Sequence, residues 1–302
     1  MIAVKDIAFV RYQVTDLARM EAFLTDFGLR RAARTESALY MRAAGTTHHV
    51  HVSELGPTNE TVGFGFYAQT ADDLERLAAH LGKPVERSLE PGGGLRVRFV
   101  DPAGFVVDVL HGQAQQAPLS AREPIPANTL IGRRLGATVR LGPSPSIVSR
   151  LGRVAFHVPD FPRSFAFYRD VLGFRASDTD WGSAEQDVIG AFMHCGPADE
   201  WPDRHTLAMF AAQDGLARFD HSSYEVIDSD DVVQGGEFMK SRGWTHSGGI
   251  DHHIHGSQIF EFWRDPFGQK HERYTDGGLV NDGSPVGKVE FNLGGSVSER
   301  HR

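Results

Sequence analysis

The sequence repeats itself, and self-similarity constrains architecture before any local assignment is made. Val14-Thr15-Asp16-Leu17 opens a stretch that closes at Phe27-Gly28-Leu29, and Val158-Pro159-Asp160-Phe161 opens one that closes at Leu172-Gly173-Phe174. In the first copy Leu17, Met20, Phe23, Leu24 and Phe27 recur at helical spacing behind Asp16, a good N-cap. In the second, Phe161, Phe165, Tyr168 and Leu172 follow Asp160, with Pro162 near the helix start. A further signature, Phe99-Val100-Asp101-Pro102-Ala103-Gly104, recurs as Trp263-Arg264-Asp265-Pro266-Phe267-Gly268; both are turns that lead into strand-like stretches. Midway in each half, Thr70-Ala71-Asp72-Asp73-Leu74 and Asp228-Ser229-Asp230-Asp231-Val232 read as acidic helix starts behind strands over 63–68 and 221–226. Each half therefore holds two units, and the fold class is α+β: two domains, each of two paired β-α-β-β-β modules.

The prolines at 118, 124, 126, 143 and 145, set among Gln, Ala, Gly and Ser, read as a linker. The expected division is an N-terminal domain over 1–112, a linker over 113–150, a C-terminal domain over 151–276 and a partly ordered tail over 277–302. A net charge of -8 and the lack of a dense Lys/Arg run argue for a small-molecule or protein partner rather than nucleic acid. No apolar run approaches the roughly 20 residues that span a bilayer, and the N-terminus lacks a signal-peptide pattern, so no membrane partner and a cytoplasmic location are expected. The single cysteine, Cys195, excludes an internal disulfide and a thiolate-rich metal site and reads as a small, half-buried hydrophobe.

Aligning the halves on their shared landmarks separates their jobs. Three residues before the capping Asp, His157 faces Gln13 in the comparison; ten before the second helix Asp, His221 faces Gly63; after the Asp-Pro turn, Glu272 faces Asp108. A lone strand histidine is more often a hydrogen-bonded core or surface residue than a ligand, but two imidazoles and a carboxylate at three such positions form a set. That set suits non-haem Fe(II), with open positions for substrate and oxygen; Mn(II) is the alternative ion. The N-terminal domain is expected to hold no metal, Asp108 being read as an edge or solvent-facing carboxylate. His48, His49 and His51 read as an exposed loop-to-strand passage and receive no role.

The run from His253 through His255-Gly256-Ser257-Gln258-Ile259-Phe260-Glu261-Phe262-Trp263 to His271-Glu272-Arg273-Tyr274-Thr275-Asp276-Gly277 resembles the signature of the type I extradiol catechol dioxygenases of the vicinal-oxygen-chelate superfamily. The resemblance covers nearly the whole chain. It implies that His157, His221 and Glu272 hold the metal, that His205 is the acid-base histidine and that His253 lies near bound substrate. The implied partners are a small aromatic diol and O2, whose two atoms are inserted beside the diol. Phe192, Phe260, Phe262 and Trp263 are candidates to shape the ring pocket, although alternating aromatics also fit packed core. Phe262 departs from the family, which commonly carries tyrosine there, and the loss of a phenol puts activity on plain catechol in question. Redox-neutral glyoxalase-like isomerases or lyases and non-catalytic binding proteins of the same fold are the alternatives. Edge strands and a vestigial first domain make a homo-oligomer the expected assembly.

Overall fold

The structure is a computed structural model and describes residues 2–128, 134–136, 138–197, 199–253 and 255–290. The N-terminal half runs β1 (Val4–Val14), α1 (Leu17–Phe27), β2 (Arg30–Arg34), β3 (Ala38–Arg42), β4 (His51–Leu55), β5 (Glu60–Ala68), α2 (Ala71–Leu81), β6 (Glu86–Arg87), β7 (Leu95–Val100) and β8 (Val106–His111). The C-terminal half repeats that order as β9 (Val148–Val158), α3 (Phe161–Asp170), β10 (Arg175–Trp181), β11 (Val188–His194), β12 (Leu207–Ala211), β13 (Arg218–Val226), α4 (Ser229–Ser241), β14 (Thr245–His252), β15 (Ile259–Arg264) and β16 (Lys270–Thr275). These are the four β-α-β-β-β modules that the repeat predicts.

The helices begin where side chains satisfy their free N-H groups. Asp16 accepts from Ala18 and Arg19, Thr70 and Asp73 form a reciprocal capping box, and Asp160 and Asp228 cap α3 and α4. The strands form an eight-stranded sheet, β2-β3-β4-β1-β5-β8-β7-β6, and a nine-stranded sheet, β14-β15-β16-β13-β9-β12-β11-β10-β17. The last member, β17 (Gly287–Glu290), pairs in parallel with β10, so the tail is ordered as far as it is described; residues 291–302 lie outside the described residues. Over 113–147 the described residues hold no helix or strand, yet Arg122 grips the α4 cap Asp228 at 2.6 and 2.7 Å and Ile147 N-H donates to Asp231.

One apolar core joins the two halves: Phe23, Phe27, Phe64 and Phe66 meet Phe156, Tyr168, Phe174 and Tyr224, with Phe64 stacked on Phe156 at 5.3 Å. Polar bonds cross the same seam, from Tyr168 to Asp101 at 2.8 Å and from Trp244 to Asp26 at 2.8 Å. His49 and His51 are fully buried and do not form an exposed passage; His49 packs on Phe9 and Tyr40 of the N-terminal half. His51 stacks on Tyr12 and bonds the Tyr224 hydroxyl, tying the halves together. Strand alternation does the sorting: Val154, Phe156 and Val158 enter the shared core, which sends Arg153, Ala155 and His157 to the opposite face. Among the described residues no helix is long and apolar enough to cross a membrane.

A candidate active site in the C-terminal hollow

The face of the nine-stranded sheet turned away from the shared core lines a hollow, and the register fixes what stands beside what. Ser223 of β13 lies opposite Arg153 of β9 on one side and Glu272 of β16 on the other, and Glu272 lies opposite Phe262 of β15. One row thus reads Arg153, Ser223, Glu272, Phe262. The next reads Ala155, His221, Lys270. Beyond β14, the segment carrying His255 reaches across to β10, placing its Nε2 at 2.8 Å from Asp180 and its ring 4.7 Å from Phe192.

Glu272 is the electrostatic centre. It is fully buried; His253 Nε2 lies 2.6 Å from Oε1, Arg153 Nη2 donates to Oε2 at 2.7 Å, and His221 Nε2 stands 3.5 Å from Oε2. Burial opposes its ionisation, but Arg153 and His253 outweigh that and hold the carboxyl well below the usual range. Burial likewise disfavours charge on His221, yet Asp220, 2.7 Å from its Nδ1, and Glu272 prevail and raise its pKa. Asp220 also fixes the ring so that Nε2 points at Glu272. For His253 burial prevails over Glu272, and its pKa is lowered. Its ring lies flat on Phe260 at 3.8 Å.

The expected ligand set His157, His221 and Glu272 does not assemble. His157 pairs with Arg218 and Phe210, four residues along β9 from the row that holds Glu272, which is about 13 Å at strand rise. It is half-buried against the Phe210 ring, with Asp220, Arg218, Lys270 and His221 as its titratable and charged surroundings. Among the described residues no three His, Cys, Asp or Glu side chains converge as an ion would require. Of the three expected ligands, His221 and Glu272 stand together, and both oxygens of Glu272 are engaged, one by His253 and one by the Arg153 guanidinium. In this arrangement the residues do not fit a divalent ion.

His205 lies across the hollow. Its Nε2 is 2.8 Å from Asp178 Oδ2, and its ring is 4.6 Å from Phe192. Arg204 clasps the same carboxylate at 2.7 and 2.8 Å. Burial would raise the Asp178 pKa, but hydrogen bonds from His205 and Arg204 reverse this and keep it ionised. Burial pulls His205 down to about 4, Asp178 only partly opposing it, so the imidazole is neutral at pH 7. With Nε2-H donating to Asp178, Nδ1 is left with the lone pair. Phe192 and Phe262 both face the hollow, Phe262 edge-on to His221 at 5.0 Å. Trp263 does not line it. The strand alternation turns Trp263 to the other face, where it is fully buried, donates to Glu261 and packs near Arg273 beneath α4.

Sequence reasoning missed Arg153, Asp178 and His255. Arg153 did leave a signal: it is a charged residue at the same strand parity as His157, in a run otherwise apolar. Asp178 left none, since Ser177-Asp178-Thr179-Asp180 reads as a polar strand edge. Asp108 is buried at 2% exposure and not solvent-facing, because Arg98 and Arg11 pair with it.

The sequence pattern of the family described as the Glyoxalase/Bleomycin resistance protein/Dioxygenase superfamily matches residues 6–109 and 150–272. Metapyrocatechase 2 of Cupriavidus necator is 31% identical over 276 residues, which cover 91% of this chain and 82% of that protein. Among solved structures, the Mn(II)-bound glyoxalase from Novosphingobium aromaticivorans aligns with a TM-score of 0.79 at 22% identity, covering 97% of this chain and 89% of the other. Homoprotocatechuate 2,3-dioxygenase from Arthrobacter globiformis aligns at 0.78 and 22%, covering 96% and 86%. At such identities these structures speak for the fold.

Proposed function

Because the chain belongs to the Glyoxalase/Bleomycin resistance protein/Dioxygenase superfamily, we propose that it is an extradiol dioxygenase, taking a small aromatic diol and O2 into its C-terminal hollow. The observation that carries this reading is the 31% identity to Metapyrocatechase 2, which extends over nearly the entire chain.

The hollow suits such a substrate. Phe192 and Phe262 offer flat apolar walls for a ring, while His205, held through Nε2 by Asp178, turns Nδ1 to a hydroxyl group. His205 is the proton handler of this reading: neutral at pH 7, oriented by Asp178, with a free Nδ1 lone pair to take a hydroxyl proton and return it later. His253, stacked on Phe260 and bonded to Glu272, holds a second polar contact in fixed orientation. Phe262 supplies no hydroxyl, which favours electron-rich rings such as trihydroxybenzenes over plain catechol.

The extradiol branch is metal-dependent, and a divalent ion there supplies chelation of the diol and a place for oxygen. In this chain no step is assigned to an ion, because Arg153 stands against the donor pair His221 and Glu272. The same observation favours a second reading, an aromatic-diol binding protein of this fold without oxygen chemistry. One experiment separates the two. Protein incubated with Fe(II) or Mn(II) is mixed with a panel of catechols and trihydroxybenzenes while oxygen uptake, ring-fission absorbance and substrate binding are followed. Oxygen consumed in step with ring opening, and lost in His205→Gln, supports the dioxygenase; saturable diol binding without oxygen uptake supports the binding protein.

A further inference from the structure

We infer that Arg153 occupies the place a divalent cation would take against Glu272, so that the native chain binds such an ion weakly and a single substitution at this position restores tight binding. The inference concerns occupancy by metal and holds whichever substrate the hollow accepts.

Register is the first support. Arg153, Ser223 and Glu272 stand opposite one another on three adjacent strands, so a side chain at 153 is the nearest one on β9 to the Glu272 carboxylate. His157, four residues on, has no such reach.

The second support is how completely the guanidinium is used. Nη2 donates to Glu272 Oε2 at 2.7 Å, and Nε donates to Ser223 Oγ at 3.1 Å. Nη1 lies 3.0 Å from the side-chain oxygen of Gln258 in the amide orientation that satisfies both partners. The group lies over the Tyr274 ring at 4.8 Å, and Arg153 is 4% exposed. A planar, permanently charged fork with every face engaged is a built ion pair.

Charge is the third. A fully buried carboxylate requires a positive partner. Arg153 supplies a single, fixed charge, and a divalent ion placed beside Glu272 would meet that charge at close range in a dry site. Metal and guanidinium therefore compete for one oxygen. His221 Nε2, 3.5 Å from the same oxygen and oriented by Asp220, remains ready as a donor. A histidine at 153 would add an imidazole on the row and remove the competing charge.

The test is an anaerobic titration of the full chain with Mn(II), read by loss of the electron paramagnetic resonance signal of the free aquo ion. Native protein, Arg153→His, Arg153→Gln and Arg153→Lys are compared. Arg153→His is expected to bind about one Mn(II) per chain at least ~10-fold more tightly than the native chain. Arg153→Gln should lie between the two, and Arg153→Lys, which keeps the charge, should match the native chain. Glu272→Gln placed on the Arg153→His background should abolish the gain. If Arg153→His does not fold, a gain in Arg153→Gln over Arg153→Lys still supports competition. Tight stoichiometric binding by the native chain, or equal affinity in Arg153→Gln and Arg153→Lys, overturns the inference.

Discussion

The two hollows of this molecule are built on the same strands and filled differently. In the N-terminal half Phe9, Tyr40, Val52 and Leu110 form a small core of their own, with Tyr67 packed against it. Asp108, at the place of Glu272, is clasped by Arg98 at 2.7 Å on both oxygens and approached by Arg11, which also pairs with Glu54 and Glu90. Where the C-terminal half has His221, the N-terminal half has Gly63, and a Cβ there would lie 1.7 Å from the Val106 carbonyl oxygen. In the C-terminal half the row partner of the acid is Arg153 instead of Phe9. His205, His221, His253 and His255 stand by carboxylates there, whereas His49 of the N-terminal half packs on Phe9 and Tyr40. Both halves neutralise the same carboxylate position with arginine. What sets the second apart is its larger set of histidines paired with carboxylates, and the proposed diol site is placed there for that reason.

The largest effect that sharpens this contrast is on stability. Glu272→Gln strands a buried guanidinium and is expected to cost about 3–5 kcal/mol in urea unfolding. Asp108→Asn should cost less, roughly 1–3 kcal/mol, because Arg11 keeps Glu54 and Glu90 and Arg98 is partly exposed. Equal losses would mean that the two carboxylates are held alike.

A smaller, pH-dependent difference follows from His205. Its folded pKa, about 4, lies below the roughly 6.5 of an unfolded histidine, so the unfolded chain takes the proton first. Its contribution is present above pH 6.5 and is lost as pH falls towards 4. His205→Gln should therefore flatten the decline in stability across that window, as read by thermal unfolding at stepped pH; an unchanged profile would show that folding leaves the pKa of this imidazole where it is in the unfolded chain.

The smallest effect comes from removing both partners. Arg153→Met with Glu272→Leu should unfold within about 1 kcal/mol of the native chain, or more stably, since desolvation of a buried pair offsets its attraction. A loss as large as that of Glu272→Gln alone would mean that the pair itself stabilises the fold.

Much of this molecule was legible in its sequence, and the reasons are local. Asp16, Thr70, Asp160 and Asp228 announce their helices because capping is a contact over three residues. The Asp-Pro turns at 101 and 265 announce their hairpins. His221 and Glu272 stand 3.5 Å apart, and each is fixed by its own landmark in the repeat. His157 does not stand with them, since the landmark that aligned it with Gln13 says nothing about distance across the sheet, and the register puts Arg153 on the row instead. Asp178 and Trp263 were beyond reach for a related reason: one depends on a contact from Arg204, the other on which strand face a helix covers. Residues 1, 129–133, 137, 198, 254 and 291–302 lie outside the described residues.

The measurement that tests the central claim most directly is a crystal structure of the protein soaked anaerobically with a trihydroxybenzene. The account predicts one bound ring per chain, in the C-terminal hollow between Phe192 and Phe262, with a hydroxyl at His205. A ring bound among Phe9, Tyr40 and Arg11 instead, or a C-terminal hollow left without ligand at saturating concentration, would contradict it.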